Sequence, residues 1–436
     1  MSSRSKARKT YSTRHGLSQL TLVEHSLCPL DARTSLKENF SHACEYRFMD
    51  PERGASTARV KVAAYEGLSA HDEFYLWGLL GITFADSEPS FDLHVTPHYC
   101  LRHFDMIDAN SKGGKSYRLF RESIRRLSAV RYQNDRFWDP LKREHRQVSF
   151  GFFSYSLPID PESNRAWRIV WDPLFFEICQ AAGSQLGFDL ATYRELDPAS
   201  RRLFLLLKKV FWRRETSPRF DLIQLAVDVL GFSPDIDTCD LKKKVRRCAE
   251  HLLNAGIVQP PGENASWFIR RAKGVYAVQF QRGPNVNGRK SPRAATLTDS
   301  PLHDPLRSIG FDDRVISQIL SRYSPPLIRL WSDITLAAIE HKGVRFFRRS
   351  PQAYFLDGLR KAASGVRTPP DWFHDIRKEE ELREAERQRQ FREATVANTS
   401  TVQQVKRAGL SKAVEPSDVE AVVREMLSGR TVSDDG

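Results

Sequence analysis

Two amphipathic helices with basic faces are predicted about 120 residues apart, at residues 114–127 and 240–253. In the first, Phe120, Ile124 and Leu127 have the i, i+4, i+7 spacing that places side chains on one face of a helix. At about 100° per residue, the arginines of this segment fall near the opposite face. The second helix has an apolar stripe of Leu241, Val245, Cys248 and Leu252. Each helix must therefore bury one side and leave a cationic side exposed.

The order of elements around these two helices repeats. An apolar helix is predicted before the first one, at residues 69–83, and before the second, at residues 198–212, where Asp197 and Pro198 form a typical start. Extended segments that can pair as a hairpin follow each basic helix, at residues 130–135, 147–157, 267–270 and 275–281. The repeat is one of architecture rather than of identical letters. It predicts an α+β, helix-rich fold of two tandem winged helix-turn-helix domains, followed by a small helical C-terminal domain.

Changes in composition predict where the domains begin and end. Residues 283–304 are rich in Gly, Pro, Asn, Ser and Thr, which is typical of a linker. Residues 378–392 are almost all charged or Gln, which favours a solvated helix or a disordered spacer. The predicted divisions are a basic flexible N-terminal tail (1–45), a first winged-helix domain (46–190), a second winged-helix domain (191–282), the linker (283–304), a small helical domain (305–370) and a charged helical or disordered tail (371–436).

The charge balance favours a polyanionic partner. Lys plus Arg number 67 against 54 Asp plus Glu, a formal net charge of +13, and cationic side chains on DNA phosphates release bound counterions. A soluble protein with a basic surface is the alternative on charge alone. The six cysteines are scattered without a CxxC pair, which suits a reducing cytosol and argues against a zinc ribbon. No apolar run reaches the roughly 18 residues that span a membrane, so we expect a cytoplasmic protein.

Recognition of the DNA major groove requires long polar or cationic side chains on the face of the helix opposite its apolar stripe. The loops that follow can add contacts to phosphates. An ordinary solvated face is the alternative for each helix. The candidate DNA-binding residues are Lys112, Lys115, Tyr117, Arg118, Arg121, Arg125, Arg143, Lys243, Arg246, Arg247, Arg271 and Lys273.

Residues 109–116 also match a relaxed phosphate-loop pattern, Ala-Asn-Ser-Lys-Gly-Gly-Lys-Ser, if Ala109 replaces the first glycine. A phosphate loop needs a buried apolar strand directly before it, and residues 103–108 are a poor strand. We therefore interpret Gly113 and Gly114 as a turn before the first basic helix, and keep an ATPase as the enzymatic alternative. No other catalytic arrangement is found, and we expect no enzymatic activity, no cofactor and no metal site.

Four short segments resemble plasmid replication initiator proteins of the Rep type, most closely in the style of the replication initiator A group. They are Leu68-Ser69-Ala70-His71-Asp72-Glu73, Gly113-Gly114-Lys115-Ser116-Tyr117, Arg126-Leu127 and Ser350-Pro351-Gln352-Ala353-Tyr354-Phe355-Leu356. The resemblance extends over roughly residues 60–360. It implies two winged-helix domains that bind direct repeats in double-stranded DNA at a plasmid origin and help to open the duplex.

The same resemblance implies further partners. Initiators of this kind recruit host replication factors, and they often dimerise to repress their own gene while acting on the origin as monomers. We therefore expect origin DNA, host replication factors and a second copy of the chain as partners. A winged-helix transcriptional regulator without a role in replication is the alternative, because the helices alone do not distinguish the two functions.

Overall fold

The computed structural model describes residues 15–50, 54–86, 88–107, 114–158, 160, 163–260, 266–286, 300–379, 382 and 386. The chain divides into two compact units, residues 1–381 and 382–436, and the elements below belong to the first of them. Its described residues combine helices with small antiparallel sheets, which confirms the predicted helix-rich α+β fold.

The N-terminal segment is built into the fold from residue 15 onward. Its elements are strand β1 (His15–Gln19), a 3₁₀ turn (Leu22–Glu24), helix α1 (Ala32–Ser35) and the long hairpin of β2 (Phe40–Asp50) and β3 (Gly54–Ala64). β1 pairs with residues 185–189, and Leu27 and Cys28 are fully buried. The predicted flexible tail is therefore wrong for residues 15–45, because residues 15–30 find partners more than 150 residues away and residues 40–45 pair with β3. Residues 1–14 lie outside the described part of the chain.

The first repeat, residues 72–171, surrounds the first basic helix. Its elements are α2 (Asp72–Ala85), β4 (Asp92–Val95), α3 (Pro97–His103), the basic helix α4 (Gly114–Ser128), β5 (Val130–Asp139), β6 (Glu144–Phe150), β7 (Phe153–Ser156) and β8 (Trp167–Trp171). Strands β4, β8 and β7 form an antiparallel sheet in that order, whereas β5 and β6 extend the β2–β3 hairpin into a separate four-stranded sheet. Helix α5 (Pro173–Gln180), β9 (Gln185–Asp189) and α6 (Leu190–Glu195) lead to the second repeat.

The second repeat, residues 198–278, surrounds the second basic helix. Its elements are α7 (Pro198–Phe211), β10 (Phe220–Asp221), α8 (Leu222–Gln224), which continues as a π-helical turn (Leu225–Val229), the basic helix α9 (Thr238–Asn254), β11 (Phe268–Ala272) and β12 (Val275–Val278). Asp197 caps α7 and Asp237 caps α9, each by accepting backbone N–H bonds. The sheet order is β10-β12-β11.

The two repeats share one arrangement of helices and strands. Each has a helix, a short strand, a helix, a basic helix and a closing pair of strands, and in each three-stranded sheet the last strand lies between the other two. The first repeat has β5 and β6 as an additional pair between its basic helix and its closing strands. In the first repeat the predicted pair forms as the β5–β6 hairpin, with Tyr132 opposite Phe150, but it belongs to the four-stranded sheet. The hairpin that corresponds in sheet order to β11–β12 is β7–β8. The predicted second strand divides because Phe152 and Phe153 are both buried, which breaks the alternation of a single strand.

The repeats share one continuous hydrophobic core, and a helical subdomain has its own. The first core runs from Leu22 to Val286. The second, which includes Trp331, Phe355 and Phe373, belongs to the helical subdomain of residues 302–379. That subdomain contains α10 (His303–Ile309), α11 (Asp313–Arg322), α12 (Pro325–Lys342), a 3₁₀ turn (Val344–Phe346), α13 (Pro351–Ala363) and a helical segment at residues 371–379. The predicted domain boundaries themselves stay a prediction.

Candidate nucleic-acid interface

Helix α4 buries its apolar stripe and exposes part of its basic face. Phe120, Ile124 and Leu127 are completely buried, as their spacing predicts. Lys115 is exposed at the first turn. The side chain of Arg118 is 71% exposed, and its Nε lies 3.9 Å from Glu122 Oε1. These two cations are therefore placed where a polyanion could reach them.

Two other cations of α4, Arg125 and Arg126, are bound to carboxylates of the protein. Arg125 is exposed, but its Nη2 lies 2.9 Å from Oε1 of Glu66. Arg126 forms two 2.7 Å bonds to the buried carboxylate of Asp72, and burial and this carboxylate act on its pKa in opposite senses, with a net rise. Arg126 thus joins α4 to the start of α2.

Arg121 and Tyr117, which are both predicted to contact DNA, also contact other groups of the protein. Arg121 Nη2 donates to the Pro158 carbonyl oxygen at 2.9 Å, and its guanidinium lies 5.8 Å from the Trp167 ring centroid. The hydroxyl of Tyr117 is 2.6 Å from His98 Nδ1. Arg121 therefore connects α4 to the β7–β8 loop (residues 157–166), and its predicted contact with DNA stays a prediction.

Two further residues near α4, Arg143 and Lys112, are predicted to contact DNA, and the structure describes only Arg143. Arg143 is exposed at the β5–β6 turn, where its φ is 56°. That turn belongs to the four-stranded sheet and not to the hairpin that corresponds to β11–β12. Its contact with DNA stays a prediction. Lys112 and Gly113 lie outside the described residues, and Gly114, the second glycine of the predicted turn, is the first residue of α4.

Helix α9 exposes a longer basic face than α4. Lys243, Arg246 and Arg247 are all exposed. Lys243 Nζ is 2.8 Å from Asp240 Oδ1, which raises the pKa of the lysine through a hydrogen bond and charge attraction. Arg247 has no ion pair among the described residues. The apolar stripe that includes Val245 and Leu252 is buried, as predicted.

The β11–β12 hairpin lies against the basic face of α9. Lys242 Nζ is 4.3 Å from the Tyr276 ring centroid and 5.2 Å from that of Phe268, while the Arg246 guanidinium is 5.7 Å from the Phe268 ring. Such cation–π contacts hold long side chains in place. Lys242 is not among the residues predicted from the sequence. It lies between the apolar stripe and the exposed face of the helix, and its aromatic partners are distant in sequence.

The tip of this hairpin is basic and exposed. Arg271 and Lys273 flank Ala272 and are followed by Gly274, whose φ of 77° suits the turn. All of these residues are exposed. The predicted hairpin with a basic tip is therefore confirmed in position, and the exposed cations of α9 and of the tip belong to one repeat.

The described residues contain no group of three or more His, Cys, Asp or Glu side chains that could hold a metal ion. Five of the six cysteines are buried, and Cys239 is exposed. No described helix has the length and apolar character needed to cross a membrane.

Comparisons with known proteins give a distant structural likeness. No family model and no curated protein matches the chain. Among solved structures, a selenomethionine derivative of domains 2 and 3 of RctB aligns with a TM-score of 0.37 and 14% identity, over 60% of this chain and 98% of that one. A second structure of RctB domains 2–3 aligns with a TM-score of 0.34 and 15% identity, over 61% of this chain and 98% of that one. At these scores the likeness carries no argument about function.

Proposed function

We propose that this chain is a sequence-specific double-stranded DNA-binding protein that initiates plasmid replication by binding origin repeats and helping to open the duplex. One observation carries the proposal: apart from the additional β5–β6 pair in the first repeat, the same order of helices and strands occurs twice, each time with exposed cations on the third helix. This order is the one expected for a winged helix-turn-helix, whose recognition helix enters the major groove.

The junction between the repeats supports a two-site reader. Glu73 of α2 and Arg202 of α7 form a buried ion pair, and the two repeats share one core. A rigid junction would fix the spacing of α4 and α9, so one chain could contact two successive major grooves about 34 Å apart. Fixed spacing of this kind suits recognition of repeated sites.

The exposed cations divide into two proposed roles. Arg118 on α4, with Arg246 and Arg247 on α9, would read base edges, since arginine binds guanine through two hydrogen bonds. Arg271 and Lys273 at the hairpin tip would contact phosphates, which set the position without reading sequence. We propose no enzymatic activity and no cofactor. Host replication factors and a second copy of the chain are the further partners proposed.

A transcriptional regulator with the same domains is the competing function. Binding of the purified full chain to DNA from its own replicon, against random-sequence competitor and over a salt series, tests DNA recognition. Binding that resists competitor at an AT-rich segment with short repeats supports the initiator. Opening of that segment, measured by permanganate reactivity of unpaired thymines, then separates an initiator from a regulator, which would bind without opening it. Affinity equal for replicon and random DNA would contradict the proposal.

A further inference from the structure

A short basic segment of the helical subdomain, residues 341–349, has a composition unlike its surroundings. Its sequence is His-Lys-Gly-Val-Arg-Phe-Phe-Arg-Arg, with four formal positive charges and no acidic residue. Lys342, Arg345, Arg348 and Arg349 are all exposed. The segment therefore presents a concentrated positive charge to solvent.

This charge is not neutralised by the protein. Two other exposed cations of the helical subdomain lie beside carboxylates: Arg307 is 2.8 Å from Asp313, and Lys361 is 2.9 Å from Asp357. Arg345, Arg348 and Arg349 have no such carboxylate among the described residues. Because their charge remains uncompensated, the three guanidinium groups are available to an external anion.

Aromatic contacts hold the segment in place. The Phe346 ring lies 5.7 Å from Tyr354 and 5.9 Å from Trp372, and Phe347 lies 5.4 Å from Tyr354. Lys342 Nζ is 5.1 Å from the Trp372 ring centroid. A segment that is already ordered loses less entropy when it binds a partner.

A series of contacts places this segment beside the proposed DNA-binding face of the first repeat. Glu340, directly before it, accepts a 2.6 Å hydrogen bond from Ser163 in the β7–β8 loop. His341 lines a small cavity of about 120 Å³ together with Pro158 of that loop. Pro158 in turn accepts the hydrogen bond from Arg121 of α4. The basic segment is thus next to the loop that connects to the basic helix.

The β7–β8 loop itself is poorly suited to contact phosphate. Its sequence, residues 157–166, contains Asp160 and Glu162 but only one cation, Arg165. Arg165 is 2% exposed and its Nε lies 3.0 Å from Asp333 Oδ1. The corresponding tip in the second repeat carries the exposed Arg271 and Lys273. The first repeat therefore lacks, in its own hairpin, the cations that the second repeat has.

We infer that residues 341–349 supply this missing contact and bind the phosphate backbone of double-stranded DNA beside the first repeat. The inference rests on the proposed DNA-binding function and adds a third element to it. Arg345, Arg348 and Arg349 act as sequence-independent phosphate contacts, so their removal weakens binding to specific and random duplexes alike.

The test is duplex binding by the full chain over a salt series, with Arg345, Arg348 and Arg349 all changed to Ala. Each phosphate contact contributes about 0.9 to the slope of log K against log salt. We expect the slope to fall by about 2–3 and the affinity by about tenfold or more. The same three positions changed to Lys keep the charge and should keep the slope. The matched control changes Arg314, Arg322 and Arg360 to Ala, which are exposed cations of α11 and α13 with the same total charge.

Two further readouts keep the outcomes distinct. If Arg118→Ala and Arg247→Ala weaken binding but the triple alanine variant behaves like its control, the inference is wrong and the proposed function stands. If the wild-type chain does not bind duplex DNA, both fail. Arg348→Cys in a Cys239→Ser background gives a single exposed thiol among the described residues. An iron chelate attached there should cleave bound DNA at one flank of the site, and absence of cleavage in a complex that still forms would overturn the inference.

Discussion

Arg202 of helix α7 forms a buried ion pair with Glu73 of helix α2, with Nε 3.1 Å from Oε1. The side chains are 4% and 7% exposed. Arg202 also donates to the Leu230 carbonyl oxygen at 2.8 Å, so the guanidinium lies between the first helices of the two repeats and the end of the π-helical turn. Gly231 makes room for it: a Cβ at this position would collide with Arg202 Nη1, and the φ of 82° is itself one that favours glycine.

This ion pair should dominate the stability of the junction. Either Glu73→Ala or Arg202→Ala leaves an unpaired buried charge, and we expect each to lower the free energy of unfolding by about 3–5 kcal/mol. Changing Glu73 to Leu and Arg202 to Met together should cost much less than the two single changes combined. Urea denaturation of the four proteins measures this coupling, and additive losses would contradict it.

Stability should fall in mild acid because of His25. Burial lowers the pKa of His25 from 6.5 to about 3, against a smaller opposing effect of its hydrogen bond to Ser26. Its Nε2 is 2.9 Å from the Tyr132 hydroxyl. The folded state therefore keeps the ring neutral while the unfolded chain binds a proton below about pH 6.5.

The stabilising contribution of His25 is thus fully present above about pH 6.5 and is lost as the pH falls toward 3. The expected slope is up to about 1.4 kcal/mol per pH unit. His42, whose pKa burial lowers to about 4, adds to the same trend. Thermal melting between pH 7.5 and 5 checks this, and His25→Gln should show a shallower decline. An unchanged slope in that variant would exclude His25 as the cause.

Mutations in the second repeat should distinguish a side chain that reads bases from one that contacts phosphates. Arg247→Ala is expected to cost about 1–3 kcal/mol on replicon DNA and to relax base preference at one position. Lys273→Ala should weaken binding evenly and lower the salt slope by about 1. Competition titrations with specific and random duplexes distinguish the two. Equal losses on both DNAs for Arg247→Ala would remove its assignment as a base reader.

Arg121 should position the β7–β8 loop rather than read bases. Because its guanidinium binds the Pro158 carbonyl and lies over Trp167, Arg121→Ala should increase amide hydrogen exchange in residues 153–171. Arg118→Ala, on the same helix but exposed, serves as the control and should leave that exchange unchanged. A loss of base preference in the Arg121 variant without any change in hydrogen exchange would instead support a direct contact between Arg121 and a base.

The helical subdomain should depend on Arg165 for its attachment to the first repeat. The Arg165–Asp333 pair is buried, and Asp333 Oδ2 also lies 3.0 Å from Arg377 Nη2. Arg165→Ala leaves this carboxylate with Arg377 as its partner, so we expect a loss of free energy of unfolding below the roughly 3–5 kcal/mol of a buried charge left with none. Amide hydrogen exchange in residues 163–167 and 333–342 should then be faster than in the wild type. Arg168→Ala, whose partner Asp92 is partly exposed, should cause a smaller change.

Local patterns in the sequence determined the helices and most strands of this protein. The spacing of Phe120, Ile124 and Leu127 sets the buried face of α4, and Asp197 before Pro198 sets the start of α7. These are interactions among residues within a few positions of each other, which a sequence displays directly. The exposed position of Arg118 and Arg247 followed from the same spacing.

Only the tertiary structure decided how these elements join. Residues 15–45 owe their order to partners such as Asp228 and Gly231. The β7–β8 hairpin forms in addition to the predicted β5–β6 pair, and Phe152 and Phe153 at the division pack on different rings, Phe175 and Trp171. The tertiary contacts also decided which cations are free: Arg121 and Arg126 bind groups on other elements. Such pairings depend on distances across the fold between residues far apart in the chain, and no local period encodes them.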